Sequence, residues 1–108
     1  GAKNDIYVSR RAVGGNQIMT QNWIVELSTA ESTDGEVVTI VRKYDNANVT
    51  AFFILVRNQG AGTNLARIPD DNTTQLANQP MFASFYYDAA STTWRCFECS
   101  LDVQDVVI

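Results

Sequence analysis

Ala51-Phe52-Phe53-Ile54-Leu55-Val56 puts six apolar residues in succession inside the run from Val49 to Arg57. Its length, and its β-branched and aromatic content, read as a strand rather than a helix. Apolar side chains on both pleats describe a strand covered on both faces, by a helix, a second sheet or another subunit.

Upstream, Asp45-Asn46-Ala47-Asn48 separates it from Val37-Val38-Thr39-Ile40-Val41, a β-branched run. Asp34-Gly35, flanked by Ser32, Thr33 and Glu36, is the best turn signal in the chain. It predicts a hairpin joining that run to the preceding strand. In that strand Met19, Trp23, Val25 and Leu27 share one face and Thr20, Asn22, Glu26 and Ser28 the other, with Ile24 the exception. Gly14-Gly15-Asn16 predicts a further hairpin, back to a strand over Asp5–Ala12 in which Ile6, Val8 and Arg10 share a face.

Downstream, Gly60-Ala61-Gly62 breaks the pattern, and Leu65–Ile68 reads as a short, weakly pairing segment. Asn72 with Gln75 three residues on resembles a capping box, so one helical turn is expected through Leu76 and Ala77, stopped by Pro80. Two strands follow, Met81–Tyr87 and Thr92–Cys99, joined by Asp88-Ala89-Ala90-Ser91. Leu101, Val103 and Val107 alternate with Asp102, Gln104 and Val106 in an expected last strand, continuing the previous one through a bulge near Ser100.

The expected fold is therefore all-β: a single antiparallel domain over residues 1–108, with seven to eight strands and at most one short helix. Short links imply antiparallel neighbours, since parallel pairs need a long crossover. A meander closed into a barrel or folded into a sandwich satisfies both.

Composition agrees with a folded domain. The chain has 108 residues, 45% hydrophobic and 19% charged, enough to bury a core without a metal or disulfide. No apolar run reaches the length of a membrane span. Gly1 reads as a remnant of tag cleavage, and the first dozen residues show no signal peptide. Asn48-Val49-Thr50 and Asn72-Thr73-Thr74 are glycosylation sequons in expected turns. The compartment stays undefined.

The sequence contains no histidine, which removes the commonest general base, proton shuttle and metal ligand, and with it Ser-His-Asp and Cys-His mechanisms. Gly60-Ala61-Gly62-Thr63 lacks the later Gly and Lys of a phosphate-cradling loop. Glu26 and Glu98 are the carboxylates a glycosidase-like pair would use, but nothing in the sequence brings them together. Asp70-Asp71 and Asp102-x-x-Asp105 lack the spacing of a calcium loop. Cys96-Phe97-Glu98-Cys99 has Cys-x-x-Cys spacing, yet on a regular strand residues three apart face opposite sides. The expectation is two buried, unlinked thiols with diverging sulfurs; a disulfide across a bulge, or redox or metal chemistry, are the alternatives. No cofactor and no metal are expected.

Phe82, Phe85, Tyr86, Tyr87 and Trp94 crowd two adjacent strands with Arg95 among them, as in base-stacking sheets. A net charge of −4 opposes the phosphate attraction on which nucleic-acid affinity rests, so core packing is the reading and nucleic acid is not an expected partner. The function expected is that of a non-catalytic structural or protein-interaction module, self-associating or binding another protein through a sheet face or edge. Its expected contact residues are Phe52, Ile54, Phe82, Tyr86 and Arg95. The alternative is a β-barrel carrier of a small apolar ligand, lined by Trp23, Phe53, Phe85 and Trp94.

Overall fold

A computed structural model describes residues 6–9, 21–30, 32–42, 51–60, 62–69 and 81–107. The strands are β1 (Ile6–Ser9), β2 (Trp23–Leu27), β3 (Val37–Arg42), β4 (Ile54–Asn58), β5 (Asn64–Ile68), β6 (Met81–Asp88) and β7 (Thr93–Cys99). Among the described residues the chain is all-β, with no helix, in two sheets that do not close into a barrel. One sheet is ordered β1-β3-β6-β7 and the other β2-β4-β5. The expected helical turn at Asn72–Ala77, both sequons and the Gly14-Gly15-Asn16 turn lie outside the described residues.

Antiparallel pairs join β3 to β6, β4 to β5 and β6 to β7. The expectation of a simple hairpin meander is corrected at the other two contacts. There β1 runs parallel to β3 and β2 parallel to β4. The chain steps from one sheet to the other at each link from β1 to β4, so β2 lies within the crossover that a parallel β1–β3 pair requires.

Asp34-Gly35 does form a turn, with Gly35 at φ +82°, a conformation that a side chain disfavours. It does not close a β2–β3 hairpin. The Gly35 amide donates to the Tyr87 carbonyl, the Tyr87 amide donates to the Glu36 carbonyl, and the Ala89 amide donates to Asp34 Oδ1. These bonds extend the β3–β6 ladder, and they draw the turn toward the β6–β7 end instead of toward β2. Glu36, buried, caps the turn by accepting the Thr33 amide on Oε1.

The core lies between the sheets. Val38, Ile40, Met81, Ala83, Phe85, Tyr87, Trp94 and Cys96 from one sheet meet Leu27, Ile54, Val56, Leu65, Ala66 and Ile68 from the other in a single buried cluster. Fully burying one such large side chain contributes about 1.5–3 kcal/mol. Strand β4 does not carry equally buried faces: Ile54 and Val56 are buried, while Leu55 and Arg57 on the other pleat are half-exposed. Its apolar run is continuous because Ala51–Phe53 precede the strand proper.

Two buried polar side chains tie the sheets at opposite ends. At one end the Arg42 guanidinium of β3 donates to the carbonyls of Phe52 and Pro69, next to β4 and β5. At the other, Asn58 of β4 bonds to Thr93 and Trp94 of β7, while Trp94 Nε1 and Tyr87 OH donate to the Ser28 and Thr29 carbonyls beyond β2.

Two further expectations change. Asn64–Ile68 is a full partner of β4 instead of a weak one. Leu101–Val107 is not a strand: Gln104 makes an isolated bridge with Arg67, and the Val107 amide donates to the Leu65 carbonyl, so this segment runs along β5. The bulge lies at Phe97, not near Ser100, because Phe85 pairs with Cys96 and the adjacent Ser84 with Glu98.

Candidate functional site

The outer face of the β3-β6-β7 sheet is built by period-two alternation. On β6, Met81, Ala83, Phe85 and Tyr87 point into the core, which leaves Phe82, Ser84, Tyr86 and Asp88 facing out. Cross-strand register then sets the rows: Val37, Tyr86 and Arg95 in one, Thr39, Ser84 and Glu98 in the next, Val41 and Phe82 in the third. Thr39 and Ser84 share a hydroxyl hydrogen bond of 2.8 Å at the centre.

The bulge adds Phe97 to this face. A regular strand would alternate Phe97 and Glu98 across the sheet, but both are exposed. The Phe97 ring meets the Tyr86 ring at 6.0 Å with planes tilted by 58°, a favourable aromatic geometry. Phe97 nevertheless keeps 55% of its surface in solvent. The face therefore carries two touching aromatic rings, flanked by half-buried Phe82, Val37 and Val41.

Arg95 sits beside Tyr86 and is held by its own hairpin. Its Nε donates to Asp88 Oδ2 at 3.1 Å and its Nη2 to Ser91 Oγ at 3.0 Å. Hydrogen bonds from Ser91 and Arg95, with a further one from the Ala90 amide, hold the Asp88 carboxyl below the usual aspartate range. The guanidinium and carboxylate thus form a fixed charged rim beside the rings.

The structure brings Phe82, Tyr86 and Arg95 onto one face and leaves Phe52 and Ile54 elsewhere. Ile54 is 0% exposed, between the sheets. Phe52 precedes β4, packs against the core and offers its carbonyl to Arg42. Phe97 is the residue that sequence reasoning missed, since a bulge is a property of register and not of spacing.

The residues grouped as a carrier lining do not converge on one enclosure. Phe85 and Trp94 are core residues, Trp23 is exposed at the start of β2, and Phe53 lies under the Arg67 guanidinium, 4.3 Å from its ring centroid. Glu26 and Glu98 stand on different sheets, and Glu26 is paired with Arg57 at 3.0 Å. Among the described residues no group of three or more Cys, Asp and Glu side chains is placed to hold a metal ion, and no helix is long and apolar enough to cross a membrane.

No family model, curated protein or solved structure matches this chain. The face itself is what the functional reading rests on.

Proposed function

We propose that this chain is a non-catalytic interaction domain, a two-sheet sandwich that associates with a second copy of itself through the outer face of β3, β6 and β7. The single observation that carries this reading is the Tyr86–Phe97 ring pair, one member of which is 55% exposed, on the β6–β7 side of the outer face. Exposed aromatic side chains with charged groups beside them are a common feature of protein interfaces. Arg95, Asp88 and Glu98 supply those charged groups here. Half-buried and exposed apolar side chains on a sheet face gain by being covered.

Sedimentation velocity across a wide concentration range tests the reading. A mass that is an integer multiple of the 12.0 kDa chain is expected, falling toward the single chain in Phe97→Asp and Tyr86→Ser. Neither side chain belongs to the buried core, and far-UV circular dichroism checks that each variant is folded. A wild-type protein that stays monomeric at high concentration overturns the proposal.

A further inference from the structure

The two cysteines are the only ones in the chain, both are free thiols, and the bulge changes their relation. On a regular strand, positions 96 and 99 would lie about 10 Å apart and on opposite faces. Here Cys96 pairs with Phe85 and Cys99 with Ala83. Ala83 and Phe85 are two residues apart on β6 and both point into the core. Their partners therefore share that core-facing side as immediate neighbours, and Phe97 is the residue squeezed out between them.

Two positions of strand amount to about 6.6 Å between Cα atoms, at the upper end of the roughly 4.4–6.8 Å that a disulfide spans. The Cys96 side chain is also turned along the strand. Its Sγ donates to the Glu98 carbonyl at 3.6 Å, and that carbonyl belongs to the peptide bond that leads into Cys99. Cys96 is buried and Cys99 half-buried, so one thiol is accessible and the other waits behind it. The expectation of diverging sulfurs is thus corrected.

We propose that Cys96 and Cys99 form a reversible intramolecular disulfide by exchange with a small-molecule disulfide of the glutathione class. Cys99, as the thiolate, attacks one sulfur of oxidised glutathione; the other half leaves as a thiolate, and Cys99 carries a mixed disulfide. Cys96 then loses its proton to solvent and attacks the Cys99 sulfur, expelling the second glutathione thiolate. Two cysteine thiols are oxidised, one glutathione disulfide is reduced to two thiols, and the two cysteine protons end on glutathione. Burial, and the neighbouring Cys99, push the Cys96 thiol up to about 11, which makes the second step the slower one at neutral pH. The ring that closes contains Phe97, so oxidation pins the bulge that presents it.

The test is intact mass spectrometry of the folded protein held in mixtures of oxidised and reduced glutathione. Wild type is expected to lose two hydrogens, with the bond mapped to the peptide carrying both cysteines, and to regain them on return to reduced glutathione. Cys96→Ser is expected to stop at a mixed disulfide on Cys99, and Cys99→Ser to show neither product. Persistence of a Cys99–glutathione adduct in wild type, a disulfide-linked pair of chains, or two thiols that stay free throughout overturns the proposal. The wild-type measurement decides the matter even if the core substitution at Cys96 does not fold.

Discussion

Asn58 and Trp94 fasten the two sheets together: Asn58 Oδ1 accepts the Trp94 backbone amide at 3.0 Å, from a side chain that is itself buried. The same amide group donates through Nδ2 to Thr93 Oγ1 at 2.7 Å. Asn58→Ala is expected to lower stability by about 2–3 kcal/mol, because it strands a buried backbone donor as well as removing a bond. Urea unfolding followed by Trp fluorescence measures this. A change within experimental scatter shows that water replaces Asn58 at no cost.

Gly35 occupies φ +82°, and a Cβ built there meets nothing within 4 Å. The cost of Gly35→Ala is therefore one of backbone conformation alone, about 1 kcal/mol. Gly35→Asn is expected to recover part of it, since Asn tolerates the left-handed region better than Ala. Equal denaturation midpoints for the two variants count against this account of the turn.

Asp88 governs part of the acid limb of stability. Ser91, Arg95 and the Ala90 amide favour its ionised form in the folded chain, so its folded pKa lies below its unfolded one. The stabilisation is present above the unfolded aspartate pKa and is lost as pH falls through the folded value. Asp88→Asn should lower stability near neutrality and leave a shallower fall toward acid, the two curves converging at low pH. Parallel curves across that range contradict it.

Cys96 acts in the opposite direction. Burial raises its thiol from 9.0 to about 11, so the unfolded chain releases its proton first and stability declines as pH rises through that interval. At pH 8 only about one Cys96 side chain in a thousand is the thiolate that reacts. Iodoacetamide should therefore modify Cys99 well before Cys96 in the folded protein. Equal rates at both positions refute the burial argument.

Much of the architecture is legible where the signal is local. The link Asp88–Ser91 closes a hairpin between neighbours in sequence, and Val25 and Leu27 do reach the core from β2, whereas Trp23, expected on the same face, is exposed. Pairing partners are not legible, because turn chemistry at Asp34-Gly35 says that the chain reverses and not which sheet it enters. Arg42 on a core-facing position gives no sign in the sequence that two backbone carbonyls await it. Of the expected contact residues, Phe82 and Tyr86 are readable from alternation on β6. Ile54 belongs to a run whose two pleats look alike, and only the position of the opposing sheet distinguishes them.

The stepping of β1 to β4 from sheet to sheet has a kinetic consequence. Neither sheet is assembled from one contiguous piece of chain: β3 must await β6, some forty residues later, and β2 must await β4. Such distant closures cost loop entropy before any contact rewards it, which places the domain among slow folders. On a ribosome, the first half of the chain would emerge with β1 and β3 able to pair but with β2 and the other edge of β3 still waiting for mates, the interval in which a chaperone or a sister nascent chain has its opportunity.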